Sequence, residues 1–274
     1  PSDEAGEDPQ ERRQAVRELL TSASNPKIKK LIALQQKASE RRESSLFVVE
    51  GRRELERCLD AGYQPDTIFI CPEISGEISL PECRICEVGR ELYAKIACRE
   101  GTEGIIAEIR SSERRLDDLA LGENPLVAVL ESVEKPGNIG AVLRTCDAAG
   151  VDALIICDPK ADLYNPNLIR ASLGAAFTVQ CAACSSQEAI AYLKERGIQI
   201  LTAQLQDSSA YYDCDMRGPT AIVMGTESTG LSRQWREAAD AHIMIPRRGR
   251  VDSLNVSVSA AILLYESVRQ RQNG

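Results

Sequence analysis

The sequence predicts an α/β protein of two domains, the second a mostly parallel sheet covered by helices. Three observations carry this expectation. From residue 125 to 269 short apolar runs alternate with helix-patterned segments, several of them closed by glycine. Residues 110–125 (RSSERRLDDLALGENP) are charged, end in a turn signal and lack a sustained apolar period, as a linker does. The composition is that of a globular protein, with 43% hydrophobic and 27% charged residues in a chain of 274, enough for one large domain or two modest ones. The expected boundaries are a polar extension over 1–23, a first domain over 24–109, a linker over 110–125 and a second domain over 126–274.

Within the extension, ERRQAVRELL reads as a short helical piece. Asn25-Pro26 is a helix start signal, and Ile28, Leu31, Ile32 and Leu34 line a helix expected to run to about Arg42. A strand (LFVVE), a helix closed by Gly62, a strand (TIFIC), the strand RICEV, a helix near Leu92 and the strand GIIAEI complete the first domain. The second domain opens with the strand PLVAVLE and a helix over 138–149 ending at Gly150. There follow DALIIC, a helix near Pro166, the strand AAFTVQC, a helix over 187–196 and IQILTA. AIVMG, a helix near Trp235, HIMIP and a last helix over 255–269 finish the chain. No internal repeat and no low-complexity tract is present.

No apolar run approaches the ~20 residues a membrane span requires, and the first residues are acidic, unlike a secretory or transit peptide. Membrane and export readings are therefore disfavoured. The ten cysteines are scattered through a chain too long for a disulfide-built miniprotein, which suits a reducing cytoplasm. Cys83/Cys86 and Cys181/Cys184 form C-x-x-C pairs, but they fall in different domains beside predicted strands, so buried thiols are preferred over a zinc site. The lone His242 sits in AHIMIP, which leaves almost nothing from which to build a histidine triad.

The net charge of −8 argues against indiscriminate coating of nucleic acid, yet residues 24–53 carry eight basic and three acidic residues. Such a stripe suits a solvated helix face or a phosphate-contacting surface, and composition does not separate them. Only 4% of residues are aromatic, so Trp235, Tyr211 and Tyr212 are expected in packing rather than in base stacking.

Three turns carry the legible chemistry. The turn after the first strand of the second domain reads ESVEKPGNIGAVLRT, which lacks the G-x-G-x-x-G of a dinucleotide site. Its Pro136 and Gly137 build a tight turn, Asn138 can cap the following helix, Gly140 permits close packing, and Arg144 lies six residues beyond Asn138. A plain helix cap and a surface ion pair are the bland alternatives for Asn138 and Arg144. The second turn, Met224-Gly225-Thr226-Glu227-Ser228-Thr229-Gly230, holds a carboxylate between glycines at a strand end, where ligand loops are expected. The third runs from Ile245 through Arg247, Arg248, Gly249 and Arg250 to Ser253, Leu254 and Asn255, a basic loop entering the last helix and suited to an anion.

In this order the three turns, over residues 126–270, resemble the SpoU/TrmH family of RNA ribose 2′-O-methyltransferases of the SPOUT superfamily. Residues 25–59 (NPKIKKLIALQQKASERRESSLFVVEGRRELERCL) resemble the ribosomal-protein-like α/β RNA-binding domain that precedes the catalytic domain in many members. The resemblance implies a catalytic domain with a deep trefoil knot, an exception to the rule that chains do not thread their own loops. It implies a homodimer and S-adenosylmethionine held largely by backbone groups. The matching cofactor positions are Met224, Gly225, Ile245 and Leu254, with Thr202 and Ala203 as weaker candidates. Arg144 matches the catalytic centre, where its charge can stabilise a developing alkoxide. Asn138 and Glu227 match organisers of that arginine and the ribose, and Ser253 and Asn255 match hydrogen-bonding supports.

Candidate RNA contacts are Lys27, Lys29, Lys30, Arg41 and Arg42 in the first domain and Arg247, Arg248 and Arg250 in the second. The loop holding the last three is more basic than is usual in the family. No metal is expected. The full first domain favours large-subunit (23S) rRNA as substrate, with a tRNA ribose methyltransferase or a non-catalytic RNA-binding relative as alternatives.

Overall fold

The computed structural model describes residues 17–101 and 103–272, and the chain divides between Arg110 and Ser111 into two compact units. The first is built on β1 (Arg17–Leu20), β2 (Leu46–Glu50), β3 (Pro65–Ile70), β4 (Arg84–Val88) and β5 (Ile105–Arg110), in spatial order β1-β4-β3-β5-β2. Strands β1, β4 and β3 run parallel, whereas β5 is antiparallel to both β3 and β2. Helices α1 (Pro26–Gln36), α2 (Ala38–Ser44), α3 (Arg52–Asp60), α4 (Pro72–Ser75) and α5 (Arg90–Ile96) complete the unit.

Asn25 caps α1, its Oδ1 accepting the Lys27 N–H at 2.9 Å, with Pro26 in the first turn where its missing N–H costs nothing. Ile28, Leu31 and Leu34 form the buried stripe of α1 and meet Val48, Phe69, Leu92 and Ile96 in one apolar cluster. The single helix expected to reach Arg42 is instead two helices. The apolar stripe ends at Leu34, and Lys37 takes an extended conformation before α2 begins. The helical piece expected over ERRQAVRELL lies outside the described residues as far as residue 16. Its remainder is β1, because Leu20 buries in the core once this segment pairs with β4.

The second unit holds β6 (Leu126–Glu131), β7 (Ala153–Cys157), β8 (Cys181–Cys184), β9 (Gln199–Ala203), β10 (Ser209–Ala210), β11 (Thr220–Met224) and β12 (Ala241–Met244). Every pairing is parallel, in the order β10-β12-β9-β11-β6-β7-β8. Its helices are α6 (Pro136–Ala149), α7 (Pro166–Ser172), α8 (Ala175–Thr178), α9 (Ser186–Glu195), α10 (Arg233–Ala238) and α11 (Val256–Gln272). Strand alternation sorts the two faces. Ala128 and Leu130 pack with Ile139, Leu143, Leu168 and Leu264 from α6, α7 and α11. Val127 and Val129 pack with Ala189 and Leu193 of α9 and with Trp235 of α10.

The chain moves outward from β6 through β7 to β8 and then returns to the other side of β6 for β9. Such a reversal opens a crevice at the carboxyl ends of the strands, the usual place for a ligand in a parallel sheet. Gly140 brings α6 against α7 at backbone distance, since a Cβ there would lie 2.3 Å from the Leu168 carbonyl oxygen. The strand expected over AAFTVQC begins later, at Cys181. Ala175, Ala176 and Phe177 are all buried, which an alternating strand does not provide and a helical turn does. Residues 111–125 belong to the second unit: Leu116, Leu119 and Leu121 pack against its core, and the Arg114 carbonyl accepts the Ala183 N–H at 3.0 Å.

Candidate active site

Helix α6 begins with Pro136, and Lys135 is its cap residue, so Asn138 lies inside the first turn rather than capping it. That leaves the Asn138 side chain for another partner. Its Oδ1 accepts from Asn255 Nδ2 at 3.2 Å. The same Asn255 amide donates to Glu227 Oε1 at 3.1 Å, and its Oδ1 accepts from the Ser257 N–H at 2.9 Å, which caps α11. Glu227 also accepts from the Val256 N–H at 3.4 Å, so its charge sits at the positive end of that helix. One amide thus joins residues from all three turns. Arg144, further along α6, is exposed and makes no hydrogen bond or ion pair among the described residues.

The second turn is a seven-residue loop over 225–231, between β11 and the Ser232 cap of α10. It folds back on itself through a bridge between Thr226 and Gly230, with the Gly230 N–H donating to the Thr226 carbonyl at 3.0 Å. Gly225 is required there: a Cβ would lie 2.4 Å from the Gly230 oxygen and 2.8 Å from Leu231 N. All seven loop residues line a cleft of about 500 Å3 at the carboxyl ends of β9, β11 and β12. Of the expected cofactor positions, Ala203, Met224, Gly225, Ile245 and Leu254 line this cleft, as do Glu227 and Ser253. Thr202 does not. It is buried behind the cleft, with Oγ1 at 2.6 Å from His242 Nδ1 and 3.1 Å from Gln204 Oε1, so the lone histidine serves to hold β9 against β12.

In the third turn Arg247 lines the cleft and braces its own loop by donating to the Val251 carbonyl at 3.2 Å, while Arg248 and Arg250 are exposed. The candidate RNA contacts of the first unit divide more sharply. Lys29 and Arg42 are exposed. Lys27 pairs with Glu18, and Lys30 lies 3.2 Å from Glu108. Arg41 is not a surface residue: it is 4% exposed and donates to the Leu34 carbonyl at 2.6 Å, satisfying the last turn of α1. Charge runs conceal such a role because sequence does not show which face a basic side chain takes.

Glu108 is buried with Oε1 unpartnered, and that burial raises its carboxyl above the ordinary range despite Lys30. Burial likewise pushes the Cys83 thiol up to about 11, and it raises Cys86 and Cys181. Cys157 and Cys184 are register partners on β7 and β8; their mutual hydrogen bond raises Cys157, as burial also does, and lowers Cys184 against the opposing effect of burial. None of the ten cysteines is in a disulfide. Among the described residues no group of three or more His, Cys, Asp or Glu is placed to hold a metal, and no helix is long and apolar enough to cross a membrane. Trp235 is fully buried and donates from Nε1 to Ser186 Oγ at 2.9 Å, whereas Tyr211 and Tyr212 meet edge to face, 5.1 Å apart.

Sequence reasoning missed Glu131. Its buried carboxylate accepts from the Ser232 N–H at 2.7 Å, from Ser232 Oγ at 2.6 Å and from Ser186 Oγ at 2.9 Å. The available signal was an acidic residue ending an otherwise wholly apolar strand.

Comparison with known proteins agrees with this architecture. Residues 125–265 match the SpoU rRNA Methylase family, and residues 25–107 match the MRM3-like substrate binding domain. The 23S rRNA (guanosine-2′-O-)-methyltransferase RlmB of Vibrio parahaemolyticus is 35% identical over 229 residues, covering 80% of this chain and 92% of that protein. The crystal structure of an RNA 2′-O ribose methyltransferase superposes with a TM-score of 0.79 at 37% identity, covering 93% of this chain and 99% of the other. An AdoMet-bound rRNA methyltransferase from Sinorhizobium meliloti superposes with a TM-score of 0.84 at 28% identity, covering 92% and 98%. With two of the three turns lining one cleft of a parallel sheet, the third tied to them through Asn255, and with these matches over nearly its whole length, the chain belongs to the SpoU rRNA methylase family.

Proposed function

We propose that the protein is an S-adenosylmethionine-dependent methyltransferase acting on a ribose 2′-hydroxyl of large-subunit (23S) rRNA. The observation that carries this reading is the Asn255 amide, which joins Glu227 and Asn138 beside the cleft. The relatives named for 23S rRNA guanosine 2′-O-methylation, and the substrate-binding domain matched over 25–107, support the substrate.

The cleft suits such a cofactor. Its volume of about 500 Å3 falls within the roughly 300–1,000 Å3 common for small-molecule sites. Its lining combines apolar Met224, Ile245 and Leu254 with the main chain of Gly225 to Gly230, where a nucleoside finds both stacking surface and backbone hydrogen bonds. Bound there, S-adenosylmethionine supplies an electrophilic sulfonium methyl.

The protein's own residues do the rest. A ribose hydroxyl is a weak nucleophile because its pKa lies far above neutrality, so its proton must be removed or its developing charge offset. Arg144, free of partners within the described residues, is available for the hydroxyl or the adjoining phosphate, and its planar fork holds both in orientation. Asn138 and Glu227, locked by Asn255, fix the wall against which the ribose is aligned. Ser253, exposed at the cleft, offers a hydroxyl to the same region. Lys29, Arg42, Arg248 and Arg250 supply exposed positive charge for the RNA backbone. The homodimer and the trefoil knot that the family resemblance implies belong to this proposal, as does a cytoplasmic location, which suits ten cysteines outside any disulfide.

The test is methyl transfer from labelled S-adenosylmethionine to separated large-subunit rRNA, small-subunit rRNA and tRNA, with mapping of 2′-O-methyl positions and Arg144→Ala as control. Label confined to large-subunit rRNA and lost in the control is the expected result. Label in tRNA overturns the substrate, and binding of cofactor and RNA without transfer makes the protein a non-catalytic relative.

A further inference from the structure

The cleft wall over 225–231 is a loop of seven residues, joined internally by a short bridge and by the Thr226 hydroxyl's bonds to Thr229. Both of its ends are nevertheless held, and by consecutive residues of one strand. At its start, Met224 is the register partner of Leu130 on β6. At its end, Ser232 is held by the next residue of β6, Glu131, through both the main-chain N–H at 2.7 Å and the hydroxyl at 2.6 Å. A two-point clamp of this kind fixes orientation as well as distance, because rotation about either bond breaks the other. Bonds to an ionised acceptor are also roughly twice as strong as neutral ones.

The surroundings make Ser232 the principal partner of Glu131. Ser186 Oγ also reaches Glu131, at 2.9 Å, but its single proton is divided with Asp158 Oδ2 at 2.6 Å, and it accepts from Trp235 Nε1. The carboxylate is 4% exposed at the end of a strand whose other residues are all apolar and buried. A charge is kept in such a place only where its hydrogen bonds are made, and three of them are. Glu131 touches neither the cleft nor the cluster of Asn138, Glu227 and Asn255, so its effect reaches the site only through the loop.

We infer that Glu131 is a positioning residue: by clamping Ser232 it sets the wall over 225–231 in its cofactor-ready form before the cofactor arrives. The inference rests on the cofactor reading proposed above. A preset wall saves the ordering cost that a free loop would impose on binding. Cofactor affinity is therefore the quantity Glu131 controls, whereas the methyl-transfer step, once the cleft is filled, depends on Arg144 and its neighbours.

The experiment uses the full chain with S-adenosylhomocysteine as the probe in calorimetric titration, together with amide hydrogen exchange of the ligand-free protein. Glu131→Gln keeps the side-chain shape and one acceptor but removes the charge. It is expected to weaken S-adenosylhomocysteine roughly tenfold, the loss of a charge-assisted bond. It should also raise KM for the cofactor by a similar factor, lower kcat by less than about threefold, and speed exchange at Gly230, Leu231 and Ser232 in the free protein. Ser232→Ala removes only the hydroxyl, and combined with Glu131→Gln it should add little to the single substitution, because both act on one contact.

Ile198→Val, a core substitution against the same sheet face, lowers thermal stability without touching the clamp and should leave affinity and exchange at 230–232 unchanged. Unaltered affinity in Glu131→Gln overturns the inference, as does full additivity with Ser232→Ala. An equal loss of affinity in Ile198→Val shows a general effect of stability and overturns it too. Failure of the unaltered protein to bind S-adenosylhomocysteine at all is a different result, and it strikes the cofactor reading itself.

Discussion

Gly225→Ala is the substitution whose outcome the backbone geometry defines most closely. The added Cβ would lie 2.4 Å from the Gly230 oxygen, 2.5 Å from its carbonyl carbon and 2.8 Å from Leu231 N. All three are backbone atoms, so no side chain can swing aside. The returning limb of the loop must retreat by about 1 Å to restore ordinary contact, and it is restrained from doing so by the bond from Ser232 to Glu131. Overpacking of this kind costs about 1–3 kcal/mol. If the loop gives way in the free protein and must be restored when ligand binds, the whole cost falls on affinity, a factor of about 5 to 150 in Kd. If the loop is rigid in the free protein, the cost falls on folding and lowers Tm. Calorimetry with S-adenosylhomocysteine and thermal unfolding, read together, should account for at least about 1 kcal/mol between them. Unchanged affinity together with unchanged Tm would refute the reasoning, because the backbone would then have room for a Cβ that the close approach of Gly230 denies it.

Further outcomes follow from other contacts. Asn255→Ala removes the α11 cap and both cross-links to Glu227 and Asn138; it should cost about 1 kcal/mol in chemical denaturation from the cap alone and depress methyl transfer well beyond what that loss explains. Arg41→Ala should destabilise the protein by about 1–3 kcal/mol, leaving buried carbonyls unpaired, without altering the salt slope of RNA binding. Arg42→Ala should show the reverse, an unchanged Tm and a salt slope smaller by about one. Glu108→Gln tests a sign. Burial raises the folded carboxyl above its ordinary value, so stability is fully present below the unfolded pKa and falls as pH rises through the folded one. The variant is therefore more stable than the parent at neutral pH, and its advantage fades as pH falls into the ordinary carboxylate range; denaturant titrations across that window check it.

The parallel second unit was legible because fully buried strands such as LVAVLE and TAIVM are continuous apolar runs, and glycines such as Gly150 mark where helices stop. Where local pattern and tertiary demand part, the sequence misleads. The segment RELL has the look of a helix end and becomes a strand because a sheet edge is available to it. AAFT, read as the start of the strand AAFTVQC, becomes a helical turn, as its two alanines favour and as the burial of three neighbouring residues requires.

The site followed the same division. Asn138, Glu227 and Asn255 stand in unusual turns and could be singled out, but that one amide ties the other two together is a fact of three dimensions. Asn138 read as a cap because its side chain is a common capping one, although Pro136 at the first helical position marks Lys135 as the cap residue. Arg41 and Lys30 read as free charges because periodicity gives no account of a guanidinium turned inward or of a buried carboxylate beneath a lysine. Glu131 went unnoticed because its partners lie 55 and 101 residues away.

Those separations have a consequence for biosynthesis. The bond from Asn255 to Asn138 spans 117 residues, and α11 packs against α6 only after everything between them has been made. Contacts so distant in sequence form late, since the closure of long loops must precede any gain from them. While α11 is still inside the ribosomal exit tunnel, the nascent chain lacks the Asn255 cross-link and the helix that carries it. The first unit, complete by Arg110, is free to fold much earlier. A nascent chain arrested before α11 emerges would thus present a finished substrate-binding domain joined to an inert catalytic one, and the catalytic unit is complete only once α11 has emerged.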